Sequence, residues 1–173
     1  GLRLPLRDLV HLMIVVSDNT ATNMIIDRIT ADVVNRYAAD LGLTATFSMR
    51  KILGASGKPE GASAAGKLEK NKRFGLGASS PRDMVLLLEK LERGEVISAA
   101  ASKEMLAVLR RQQIQDGIAR RMGETKVASK SGALDALRSD VGIVYSPRGR
   151  IAMAITVDGM PKPDWSPDNA GDL

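Results

Sequence analysis

Residues 12–23 read Leu12-Met13-Ile14-Val15-Val16-Ser17-Asp18-Asn19-Thr20-Ala21-Thr22-Asn23, an apolar run that stops abruptly in three small polar residues. Upstream, Leu6, Leu9, Val10, Met13 and Ile14 recur at the spacing of one helical face, so residues 6–16 form an amphipathic helix. Ser, Asp and Asn bond readily to nearby backbone and favour caps over helix interiors. Ser17-Asp18-Asn19 therefore ends that helix and begins another, which runs through Met24, Ile25 and Ile29. Thr30 is placed to cap a third helix, with Val33, Val34, Tyr37 and Leu41 on its inner face and Gly42 as its left-handed stop.

Residues 43–79 follow with six glycines and no period. An Ω-type loop and a disordered insertion both fit so long a connection. Ser80-Pro81-Arg82-Asp83 restores order as a helix start, with Ser as cap, Pro at the first helical position and Asp near the positive end of the dipole. Met84, Leu87, Leu88 and Leu91 face inward and Gly94 ends that helix. Another spans residues 99–111 through Met105, Leu106 and Leu109, and a short helical piece surrounds Ile118. Three strands then follow at residues 127–132, 140–145 and 150–158, the last two joined through Ser146-Pro147-Arg148-Gly149. In the last strand Ile151, Met153, Ile155 and Val157 share one face while Ala152, Ala154 and Thr156 share the other, which suits a sheet with helices packed against it. Ser166-Pro167-Asp168-Asn169 would start one more helix. The chain thus divides into a mostly helical part, 1–126, and a part with three strands and the start of a C-terminal helix, 127–173.

Composition narrows the chemistry. Hydrophobic residues at 44% beside 26% charged describe a globular chain, and 3% aromatics require an aliphatic core. With no cysteine and one histidine, His11, the chain offers no thiolate, disulfide or His-rich metal constellation, and neither metal nor cofactor is expected. A Ser-His-Asp mechanism is not expected on the same ground, so a serine nucleophile would need lysine as its base. No apolar run is long enough to span a bilayer, and no signal-type start precedes the first helix.

The net charge of +5 is local, because residues 43–79 carry Arg50, Lys51, Lys58, Lys67, Lys70, Lys72 and Arg73 against Glu60 and Glu69 while the remainder is balanced. Such a loop attracts a small anion or an anionic polymer, or is simply solvated. Nucleic acid is not expected as a partner, since only Phe47 and Phe74 are interleaved with these cations.

Two short motifs carry chemistry together: Ser17-Asp18-Asn19 at a helix end and Lys130-Ser131-Gly132 on a strand far downstream. In their order and settings they resemble the class A β-lactamases, penicillin-recognising serine hydrolases with S-x-x-K, S-D-N and K-T-G elements. Leu4-Pro5-Leu6-Arg7-Asp8-Leu9, Leu41-Gly42 with Thr46 and Arg50, Ser80-Pro81-Arg82-Asp83-Met84 and Ala133 extend the resemblance over the chain outside residues 51–79. It implies an α/β fold of α+β type, a helical subdomain beside an antiparallel sheet covered by helices, incomplete in this chain.

The resemblance also implies roles. Ser17 would relay a proton to the leaving nitrogen, and Asn19 would bind the nucleophile's lysine and the substrate's amide side chain. Lys130 would hold the Ser17 hydroxyl and draw in a substrate carboxylate that Ser131 hydrogen-bonds. Gly132 would let substrate lie along the strand edge, and the Ala133 amide would be one of two oxyanion donors. Arg138 aligns, with a one-residue gap, as a second carboxylate anchor. Asp18 and Asn23 would buttress the turn through bonds to backbone.

Two departures qualify that reading. The Ser-x-x-Lys element of the family precedes S-D-N, and this chain begins sixteen residues before Ser17; nucleophile and base are expected upstream, in an N-terminal segment that also completes the fold. Ser48-Met49-Arg50-Lys51 spells the motif but stands after S-D-N, and is treated as coincidence. After Arg50 the family has a Glu and, four residues on, an Asn, which activate the deacylating water; here Lys51, Ile52 and Leu53 follow. Glu60 or Glu69 would have to substitute, and without them the acyl-enzyme persists.

The expected substrate is thus a small-molecule β-lactam, or alternatively a D-alanyl peptide or small ester for a peptidase, penicillin-binding protein or esterase of the same fold. A non-catalytic peptidoglycan-binding module is the third reading. Residues 1–173 alone are expected to be inactive, and the location implied is the periplasm or outside the cell.

Overall fold

The computed structural model describes residue 1 and residues 3–52 and 60–166. The expected helix start at Pro167-Asp168-Asn169 lies outside these residues, as do Leu53 and Lys58. Packing divides the chain into two units, Gly1–Asp83 and Met84–Leu173.

The first unit begins with helices α1 (Leu6–Val15), α2 (Asn19–Ile29) and α3 (Ala31–Asp40). Each break follows the cap chemistry of the sequence. Asp18 accepts the Ala21 amide at 2.6 Å to start α2, and Thr30 accepts the Val33 amide at 3.4 Å to start α3. Gly42, at φ 81°, closes α3 with paired bonds, its own amide to Ala39 and the Leu43 amide to Ala38, both 2.9 Å.

The inner face of α3 differs from expectation. Val33 and Tyr37 are 40% and 39% exposed, while Ala31 and Ala38 are buried. The inward stripe is Ala31, Val34, Asn35 and Ala38, rotated toward a polar residue because the Asn35 amide has a partner there: Nδ2 donates to the Ser48 carbonyl at 2.9 Å and Oδ1 accepts the Ser48 amide at 2.6 Å.

That partner lies in the aperiodic stretch, whose described residues, 43–52 and 60–79, are ordered by ties to one another and to the helices. Its ends meet as a two-strand ribbon, β1 (Phe47–Ser48) antiparallel to β2 (Gly77–Ala78). Between them lie α4 (Ala64–Lys67) and a 3-10 turn, Glu69–Phe74. Buried Ser63 caps α4, accepting the Gly66 amide at 3.0 Å and donating to the Ser48 carbonyl at 2.8 Å. From α3, Asp32 accepts the Ala64 amide at 2.8 Å. Asp83, capped by Ser80 at 3.1 Å, accepts the Ala45 amide and the Thr46 hydroxyl, both at 2.8 Å.

The second unit packs α5 (Pro81–Arg93, from Met84 on) and α6 (Ala99–Leu109) on an antiparallel sheet of order β3-β4-β5. The strands β3 (Lys126–Leu134), β4 (Leu137–Ser146) and β5 (Gly149–Asp158) are longer than the sequence indicates. Leu88, Leu91, Val96, Leu106 and Ile143 form the core, joined by Ala152. Register explains which sheet face the helices take: Ile143 stands opposite Ala152, so a large residue meets a small one and the helices approach closely. The bulky residues Ile151 and Ile155 point away and are 52% and 43% exposed. Glu92 ties α5 to the strands, accepting the Tyr145 hydroxyl at 2.7 Å and pairing with Arg150.

A Cβ placed on Gly66 would stand 2.2 Å from the Met49 carbonyl oxygen, a backbone atom that cannot step aside. Gly66→Ala should therefore destabilise the loop by about 1–3 kcal/mol, read as a lower thermal midpoint of the full-length protein; an unchanged midpoint would contradict the close approach.

Candidate active site

Each unit holds one of the two sequence motifs. In the first, the backbone reverses between α1 and α2 at Ser17, whose φ of 56° is left-handed. The Asp18 amide donates back to Leu12 at 3.1 Å and the Thr22 hydroxyl donates to the Asp18 carbonyl at 2.8 Å. Asp18 is thus consumed by the turn it caps. The side chain of Ser17 is half-buried, and Asn19, the first residue of α2, is exposed.

One turn further along α2, Asn23 reaches the loop instead of the local turn. Its Nδ2 donates to the Ile52 carbonyl at 3.0 Å and its Oδ1 accepts the Ile52 amide at 2.9 Å. On the same helix face Asp27 accepts from Lys51 Nζ at 2.7 Å, with Glu60 Oε2 3.8 Å from that ammonium. The hydrogen bond to Asp27, with the charges of Asp27 and Glu60, holds Lys51 above its ordinary pKa of 10.5 against the opposing effect of burial. Lys51 is accordingly held as a cation by carboxylates of α2 and the loop. The other loop carboxylate, Glu69, is 2.5 Å from Lys72.

In the second unit, β3 is an edge strand and carries Lys130, Ser131, Gly132 and Ala133 in consecutive, alternating positions. Lys130 stands opposite Val141, on the face that packs toward α5 and α6, and is half-buried. Its Nζ donates to the Ser131 carbonyl at 2.5 Å. Desolvation lowers its pKa, only partly offset by the charge of Asp140. Ser131 lies on the opposite face, paired with Asp140, whose carboxylate accepts the Ile118 amide at 2.8 Å.

Two of the sheet's glycines, Gly142 and Gly132, contrast. A Cβ on Gly142 would meet Ser129 Cβ at 2.7 Å and the Ala128 carbonyl at 2.9 Å, whereas one on Gly132 would meet nothing within 4 Å. The fold requires the first glycine and makes no such demand for the second. Gly132 and Ala133 are both exposed.

Arg138, opposite Ala133, is buried. Its guanidinium donates to the carbonyls of Leu134 and Asp164 and to that of Leu137 at 2.9 Å, and it stacks 4.3 Å from the Trp165 ring centre. These bonds fix the guanidinium in place against the chain's own carbonyls. Neither Trp165 nor the Asn23 grip is signalled in the sequence, because both depend on residues distant in the chain. Among the described residues no group of three or more His, Asp or Glu side chains is placed to hold a metal ion.

The profile of the β-lactamase enzyme family matches residues 1–171. A β-lactamase of known structure from Sphaerobacter thermophilus is 33% identical, with 94% of this chain and 57% of that one covered and a TM-score of 0.78. PBP-A, in a variant solved as an acyl-enzyme complex with penicillin-G, is 27% identical over 98% of this chain and 56% of its own, TM-score 0.72. A class A β-lactamase from Bacteroides cellulosilyticus shares the fold at 20% identity, over 96% and 58% of the two chains, TM-score 0.73. The chain thus spans somewhat over half the length of these solved relatives. Curated proteins give no match.

The lowered pKa of Lys130 sets a pH test. Below its folded value the ammonium is charged in both folded and unfolded states, and the cost of burying it is present in full. As pH rises toward the ordinary 10.5, the folded protein releases the proton first and the cost fades. Lys130→Met should therefore raise the thermal midpoint at neutral pH, by a margin that narrows toward pH ~10; a lowered midpoint at pH ~7 would reverse the sign.

Proposed function

The chain belongs to the β-lactamase enzyme family, and on that premise we propose that the intact protein is a serine hydrolase that opens β-lactam or D-alanyl amides through an acyl-serine and releases the acyl group slowly. The nucleophilic serine and its lysine base are carried outside this chain, and the protein works in the periplasm or outside the cell. Attack by the serine oxygen forms the ester and breaks the amide C–N bond. The leaving nitrogen takes its proton through the Ser17 hydroxyl. By the family resemblance Asn19 holds the substrate's amide group, Lys130 supplies positive charge, Ser131 a hydroxyl for the substrate carboxylate and Ala133 an amide for the oxyanion. Exposed Gly132, where an added Cβ would meet nothing within 4 Å, leaves room for an extended substrate beside β3.

Slow release rests on one observation. The residue after Lys51, held at both backbone groups by Asn23, is the aliphatic Ile52, where the resemblance calls for a water-activating carboxylate. The loop's carboxylates do not replace it, since Glu60 faces Lys51 and Glu69 faces Lys72. An ester without a general base to activate water persists. PBP-A, which forms an acyl-enzyme with penicillin-G in its Leu-to-Glu variant, supports acylation by a protein of this fold.

Full-length protein should be labelled by a fluorescent penicillin, keep the label through denaturing electrophoresis, and turn over a chromogenic cephalosporin more slowly than it is acylated. Rapid turnover with no retained label would make it an efficient β-lactamase. No label at all would remove the acyl-serine and leave a non-catalytic peptidoglycan-binding module. Ile52→Glu, which restores a carboxylate at the gripped position, should speed loss of the label by ~10²-fold or more without slowing its formation.

A further inference from the structure

The loop presents a surface that the hydrolase chemistry does not use. Lys67, Lys70, Lys72 and Arg73 are all exposed, and the only acid among them, Glu69, is satisfied by Lys72 at 2.5 Å. Residues three apart are eclipsed on a 3-10 turn. The Glu69–Lys72 pair has that spacing, and Lys70 and Arg73 share the next line with no acid between them. The line of Asn71 and Phe74 is fastened at one end, where Asn71 Nδ2 donates to the Ala65 carbonyl at 3.0 Å. Two apolar side chains stand among the cations: Leu68 is 48% exposed and Phe74 38%, with the Arg73 guanidinium 4.6 Å from the Phe74 ring centre. The patch is held from beneath by Ser63, Asp32 and the close approach of Gly66 to Met49.

We propose that this patch docks the protein peripherally on an anionic phospholipid bilayer. The excess positive charge of the whole chain lies in residues 43–79, which selects an anionic partner. The exposed Leu and Phe select a bilayer among anionic partners. Seated at the boundary of headgroups and acyl chains they leave water while their basic neighbours stay among phosphates. A soluble polyanion would leave both hydrated, and nucleic acid would want stacking aromatics spaced along the cationic track. No helix of the described residues is long and apolar enough to cross a membrane.

The test is co-sedimentation of full-length protein with vesicles of phosphatidylglycerol and phosphatidylcholine in equal parts, beside vesicles of phosphatidylcholine alone. Binding should appear on the anionic vesicles only and fall as salt is added. Charge reversal at Lys70→Glu with Arg73→Glu should weaken it at least ~30-fold, at about tenfold for every 1.4 kcal/mol and about 1 kcal/mol for each basic side chain lost near the surface. Leu68→Ser with Phe74→Ser should weaken vesicle binding about tenfold while leaving binding to soluble polyphosphate as in the parent.

All four positions are exposed, so thermal midpoints should match the parent, and the salt response of the unaltered protein needs no variant. Absence of binding to anionic vesicles at low salt overturns the proposal, as does equal binding to neutral ones. An apolar variant that binds vesicles like the parent transfers the patch to a soluble polyanion and overturns the bilayer.

Discussion

The first unit depends on amide side chains that imitate a neighbouring strand. Asn23 binds the carbonyl and amide of Ile52, and Asn35 binds the carbonyl and amide of Ser48, so each closes on a backbone residue from both sides. Asp27 and Asp32 add one tie apiece from the same helices. The spacings 23 to 27 and 32 to 35 place each pair on one helix face, so α2 and α3 each present a polar ledge to the loop. A segment with few buried apolar residues, Leu43 and Met49 chief among them, could not order itself by hydrophobic burial. Several bonds worth about 1 kcal/mol each, whose loss would strand buried polar groups at greater cost, do that work instead.

Ties to backbone atoms separate the shape of the loop from its chemistry. The Asn23 amide reads the peptide groups of Ile52 and is indifferent to the side chain between them. A residue at that position can change from carboxylate to aliphatic without loosening the loop. Lys51 works the other way, since its ties to Asp27 and Glu60 run through its own ammonium.

Local signals in the sequence were the legible ones. Asp18, Thr30, Ser80 and Gly42 mark helix boundaries because a cap bonds within a few residues of itself, and the structure has each where the sequence puts it. The stripe of α3 was illegible for the converse reason: Asn35 faces inward to meet Ser48, thirteen residues away, and a reading that sends polar residues outward must rotate the helix. The loop hid its order likewise, since side chain to backbone ties leave no hydrophobic period. The β3–β4 hairpin turns at Asp135-Ala136, which lacks the glycine or asparagine that announces such turns, so both strands looked shorter than they are. In β5 the alternation was legible but its direction was not, because which face takes the helices is decided by Ile143 on the next strand.

The motif residues differ in what their structure implies. The left-handed backbone of Ser17 is shared by Ile97, which also stands just before a capping residue, Ser98, and which projects into solvent. That conformation is a way of reversing the chain between helices, and by itself says nothing of chemistry. Lys130 and Gly132 are different. A half-buried ammonium on the helix-covered face costs stability that an apolar side chain of similar length would not. A glycine in a strand costs conformational entropy, and here no neighbour crowds the position to require it. These two departures from what packing would choose stand two residues apart on β3, where successive alternate positions share one face.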